Sequence, residues 1–91
     1  MAKFTTRVEL HDADDTDYDD LHEYMRDEGF TRTIEADGKR YRIPPAEYNR
    51  VAELSCDDVR SAAVRAAKKT GKTYEVLVTE GTRCWIGLEE V

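Results

Sequence analysis

Hydrophobic and polar positions alternate at the start of the chain. Phe4, Thr6, Val8 and Leu10 fall on one side, and Thr5, Arg7 and Glu9 on the other. A period of two is that of a half-buried strand, so residues 4–10 are predicted as the first strand. The spacing then becomes helical, with Tyr18, Leu21, Tyr24 and Met25 on one stripe and Gly29 as a left-handed stop. "FTRTIEA", residues 30–36, predicts a second strand, and Asp37-Gly38 a two-residue hairpin turn. Lys39 to Ile43 returns as a third strand, ended by Pro44-Pro45, which cannot donate to a ladder. Residues 46–54 fit either an extension of that strand past a proline bulge or a short helical turn; the extended form is preferred.

Ser55, followed three residues later by Asp58, reads as the capping box of a second helix. Val59, Ala62, Ala63, Ala66 and Ala67 give it a narrow stripe of small residues that allows close approach to a sheet, and Lys68, Lys69 and Gly71 close it. "KTYEVLVTE", 72–80, is a fourth strand, and "RCWIGLE" a short final strand predicted to fold back on it as a hairpin. The order β-α-β-β-α-β, with a C-terminal strand extension, implies an α+β, ferredoxin-like sandwich: an antiparallel sheet with two helices on one face. The opposite sheet face is where binding is expected.

The 91 residues suffice for a single domain, 1–91. No apolar run approaches the roughly 20 residues of a membrane span, and the first ten residues lack a leader's apolar segment. A cytoplasmic location with no membrane partner is expected. Cys56 and Cys84 form no C-x-x-C pair and have no neighbouring histidine in sequence, so unpaired thiols and no structural zinc are expected. The net charge of −6 is uneven: residues 1–30 carry ten acids against three bases, residues 31–91 ten against eleven. An acidic chain is not a general nucleic-acid binder, but its second part can still supply a basic face.

Six aspartates crowd positions 12–20. As a calcium loop starting at Asp15 the run fails, because the required glycine is Asp20 and the bidentate glutamate is Arg26. Thr16 with Asp19 reads instead as a capping box, the acids opposing the helix dipole. His11 and Asp12, where the first strand ends, form the remaining chemical pair. They can take a proton from a ribose hydroxyl or position a metal-bound water, or they are an ordinary exposed strand-to-helix loop. His22 is expected on the surface. Arg7 points outward from the first strand, and Arg40 and Arg42 alternate with Tyr41 and Ile43 on the third. Arginines beside a tyrosine suit phosphates and unpaired bases, although solvated sheet arginines share this pattern. Trp85 can pack at the core edge or anchor self-association.

The strings "RVELH", "GFTRTI", "DGKRY" followed by "PAEY", and "KKTGKTYEVLVTEGTRCWIGL" resemble the GhoS-type antitoxin family of type V toxin–antitoxin systems, in its broad, mostly uncharacterised branch. The resemblance runs over nearly the whole chain, and "TGKTYEVLVTE" is its most distinctive part. It implies a ferredoxin-like fold, similar to the small CRISPR-associated adaptation nucleases. It also implies action on RNA, by analogy with selective endoribonuclease cleavage of a toxin's messenger RNA by the founding antitoxin. On this expectation His11 and Asp12 transfer protons, Arg7, Arg40 and Arg42 hold phosphates, and no cofactor or metal is used. The other expectation is non-catalytic: a prophage- or plasmid-type binding module using its acidic helix on a basic partner, or its sheet in a homodimer.

Overall fold

The alternating segment becomes β1 (Ala2–Leu10), the middle strand of the main sheet, in a computed structural model that describes all residues 1–91. It pairs antiparallel with β4 (Glu47–Ala52) on one side and β5 (Tyr74–Glu80) on the other. Phe4, Thr6, Val8 and Leu10 are buried, while Arg7 is exposed, so the alternation marks the core face correctly. Helices α1 (Asp15–Asp27) and α2 (Cys56–Lys68) cover that face. Leu21 and Met25 from α1 meet Val59, Ala62, Ala63, Ala66 and Ala67 from α2 in one core with Phe4, Val8, Phe30 and Tyr48. Each large aliphatic side chain buried there contributes about 1.5–3 kcal/mol. No helix is long and apolar enough to cross a membrane.

Ser55 and Asp58 form the expected capping box on α2. On α1 the box is not Thr16–Asp19 but Asp14–Asp17, closed by two reciprocal 3.0 Å hydrogen bonds. With this start the Tyr18 hydroxyl, in the first turn, accepts the Leu10 N–H at 3.0 Å, and Asp12 makes the turn with a φ of +53°.

The predicted second strand divides. Thr31 pairs with Asn49 of β4 through two backbone bonds, of 2.8 and 2.7 Å; the chain then bends at Arg32. Only Thr33–Ala36 continues, as β2, pairing with β3 (Lys39–Arg42) in a separate two-stranded sheet. Asp37 and Gly38 turn that hairpin with φ of +53° and +76°, as a two-residue loop requires. Pro44-Pro45 separates β3 from β4 instead of bulging one continuous strand, so the order is β-α-β-β-β-α-β.

The final strand is also corrected. Residues 81–91 do not fold back on β5. Arg83 donates from Nη1 to the Phe4 carbonyl (2.9 Å) and the Thr5 hydroxyl (3.3 Å), which carries the segment across the outer face of the sheet. It ends against β3, where Arg42 N–H donates to Glu89 and Val91 N–H to Arg40. Trp85 lies 5.7 Å from Tyr41, ring to ring, over an apolar hollow of about 260 Å³ that includes Ile34 and Ile43. Trp85 and Leu88 are half-buried along that hollow, while Ile86 between them is 96% exposed.

Candidate nucleic-acid interface

The bend at Arg32 brings the hairpin toward α1. Between them runs an open groove of about 500 Å³, lined by His22, Glu23 and Arg26 from α1, Phe30, Thr31 and Arg32 from the connection, and Arg40 and Arg42 from β3. Four arginines thus face a single glutamate. Exposed arginines elsewhere are neutralised: Arg7 by Glu9, Arg60 by Asp57, and Arg65 by Glu28. None of Arg26, Arg32, Arg40 and Arg42 forms an ion pair. The Nε of Arg32 is closed off from solvent without a hydrogen-bond partner. Leaving a buried polar group unpaired costs about 1–3 kcal/mol, so packing rather than hydrogen bonding holds this guanidinium at the groove. Concentrated, unpaired guanidinium charge is the chemistry of a phosphate site.

His22 is only partly at the surface. It is partly buried, and its Nδ1 lies 2.7 Å from the hydroxyl of the fully buried Tyr48. Burial, and then the charges of Arg32 and Arg42, push the imidazole below its ordinary value of 6.5, with Asp19 opposing them. Burial also raises the Tyr48 phenol, which stays protonated.

Of the five residues singled out from sequence, Arg40 and Arg42 meet in this groove. Arg7 does not join them: it lies on the outer sheet face, its Nε 2.9 Å from Glu9. His11 and Asp12 are exposed just beyond the C-terminal end of β1 and do not line this groove. His11 N–H donates to the Thr73 carbonyl and its Nε2 is 2.9 Å from Glu75. Arg26, Arg32, His22 and Tyr48 were missed. Arg32 did leave a trace, because a continuous strand would have put its charge on the core side; that conflict is resolved by the bend. The contributions of α1 had no such signal, since adjacency to β3 is set by tertiary packing alone. No group of three or more His, Cys, Asp or Glu side chains is arranged to hold a metal ion. No protein family, curated protein or solved structure matches the chain.

Proposed function

We propose that this chain acts on RNA, holding the backbone of a single strand in the arginine groove, in the manner of the GhoS-type antitoxins it resembles. The carrying observation is the set Arg26, Arg32, Arg40 and Arg42, grouped without ion-pair partners on a protein of net charge −6. The acidic remainder restricts nucleic acid to this one place and disfavours indiscriminate binding. The same reading takes the fold as a ferredoxin-like variant. The sheet order β4-β1-β5 supports it, with Thr31 bridging β4 where a second strand would run. Cleavage of a toxin's messenger RNA, with His11 and Asp12 transferring protons, is the catalytic form of this proposal and rests on the resemblance.

The test is binding of a randomised single-stranded RNA pool, followed by sequencing for cleavage. Wild-type protein is expected to bind, and Arg40→Gln with Arg42→Gln to weaken binding at least about tenfold, the worth of one charge-assisted hydrogen bond. The slope of log affinity against log salt should become shallower by about 0.7 for each phosphate no longer neutralised. RNA left intact equally by wild type, His11→Ala and Asp12→Ala would remove the catalytic form. No retention of RNA would remove the proposal. A dimer in sedimentation would then favour a protein-binding module, consistent with the exposed Leu77 on the outer sheet face, Ile86 on the C-terminal segment, and the unpaired Asp15, Asp19 and Asp20 of α1.

A further inference from the structure

Tyr48 has 0% exposure, and its hydroxyl has one hydrogen-bond partner, the Nδ1 of His22. Were Nδ1 to carry the imidazole hydrogen, the phenol hydrogen would be buried with no acceptor, at a cost of about 1–3 kcal/mol. The hydroxyl therefore donates to Nδ1. A neutral imidazole whose Nδ1 accepts must carry its hydrogen on Nε2. Nδ1 is turned to the core, so the opposite edge of the ring is the one left to the groove that His22 lines with Arg26, Arg32, Arg40 and Arg42.

We propose that His22 is a phosphate-binding residue of this groove, held by Tyr48 in the tautomer that presents an Nε2–H donor, and that it takes up a proton when a phosphate anion binds. The proposal rests on reading the arginine groove as an anion site, and it names the ligand chemistry as a phosphate group, whether on RNA or free. The neutral donor suits a site already crowded with positive charge: it adds a hydrogen bond without a further cation while the groove is empty. An arriving phosphate changes the balance, since its negative charge offsets Arg32 and Arg42 and lets the ring become imidazolium. Tyr48 then rotates its hydroxyl to accept from Nδ1 and leaves its own hydrogen unpaired, a cost the bound phosphate must outweigh. Tyr48 is thus a positioning residue that holds the ring neutral until the anion arrives. The charged and titratable groups around the ring are Asp15, Tyr18, Asp19, Glu23 and Arg26 of α1, Arg32 of the connection, Arg40 and Arg42 of β3, and Tyr48 of β4. Among them Asp19 favours the charged ring, and Arg32 and Arg42 oppose it.

The two events are reciprocal: an anion that raises proton affinity must itself bind more tightly once the proton is on. The experiment is NMR of the two histidines across pH 4.5–8.5, on the full chain, with and without inorganic pyrophosphate. Without anion, the His22 ring should show the Nε2–H tautomer and titrate below the ordinary imidazole range. Pyrophosphate should move its signals saturably and shift its titration upward. Pyrophosphate affinity should rise by about fivefold or more as pH falls through the His22 range. His22→Gln should abolish that rise, and Tyr48→Phe should move it to higher pH. An Nδ1–H tautomer, or a His22 titration indifferent to pyrophosphate, would overturn the proposal even if RNA binds. A pyrophosphate response in a protein that retains no RNA would uphold it and remove the RNA reading.

Discussion

Gly29 ends α1 with a φ of +94°, a conformation that costs an L-residue about 1–2 kcal/mol. Space is the second constraint there. A Cβ on Gly29 would sit 1.3 Å from Nη1 of Arg50, the atom that donates to the Glu28 carbonyl at 2.7 Å. Arg50 is flexible enough to swing away, so the clash itself is relieved cheaply; what is lost is a charge-assisted hydrogen bond on an orphan helix carbonyl, about 1.5–3 kcal/mol. Gly29→Ala is expected to destabilise by about 2.5–5 kcal/mol in urea unfolding, with an unchanged slope. Arg50→Met removes the same hydrogen bond, so the double variant should be little less stable than Gly29→Ala alone and the two costs should fall short of their sum. Simple additivity of the two substitutions would show that strain alone matters. Gly29 was legible in sequence as a helix stop, but its dependence on Arg50 was not, since that hydrogen bond crosses from β4 to the end of α1.

The hairpin of β2 and β3 is the element that owes least to the core. Two strands alone are marginal in water, and this pair is tied to the main sheet by the Thr31–Asn49 bridge and to the C-terminal segment by Glu89 and Val91. Trp85, its ring tilted against Tyr41, is the apolar part of that tie. Trp85→Ala is expected to cost about 1–3 kcal/mol, below the range for a fully buried aromatic. Hydrogen exchange should speed up most at residues 33–42, with β1 and β5 still protected. RNA affinity should fall with it, although Trp85 lines no part of the groove, because Arg40 and Arg42 ride on the loosened strands. Uniform loss of protection would contradict this local role. The same element shows where sequence reading ends. The strand alternation of β1, the Asp-Gly turn, the Ser55 cap and the alanine stripe of α2 were all legible, each being set within a few residues. The break at Pro44-Pro45, the bend at Arg32 and the path of residues 81–91 depend on which distant surface offers more burial. The candidate site shares that limit: Arg40 and Arg42 could be picked out as alternating charges, but their grouping with Arg26, Arg32 and His22 exists only in three dimensions.

At the scale of the whole molecule, acidification acts with opposite signs. Lowering pH from 7 toward the isoelectric point near 4.9 reduces the net charge of −6 and relieves self-repulsion, which is stabilising. Three groups oppose it. His22 is held below its ordinary 6.5, chiefly by burial; Asp14 below 3.8, chiefly by the Asp17 backbone N–H; and Glu28 below 4.5, chiefly by its hydrogen bond from Arg65. In each case the unfolded chain takes the proton first, so the stability is present above the unfolded value and is lost as pH falls through the folded one. His22 acts just below neutrality, and the two carboxylates act below about pH 4.5. At 0.15 M salt, long-range repulsion is screened beyond roughly 8 Å, whereas these effects arise at contact distance and survive. Thermal unfolding in phosphate-free buffer at that salt should therefore show a melting temperature that declines from about pH 7 to 5.5, and again below about 4.5. His22→Gln should flatten the first decline and leave the second. Lower salt should shrink the first decline in the wild type by restoring the repulsion that acidification relieves. Adding phosphate at about pH 5.5 should raise the melting temperature of wild type more than that of His22→Gln, since the anion binds best to the protonated ring. An identical first decline in both proteins would mean that His22 does not stay neutral on folding, and the proton-coupled phosphate site would fall with it.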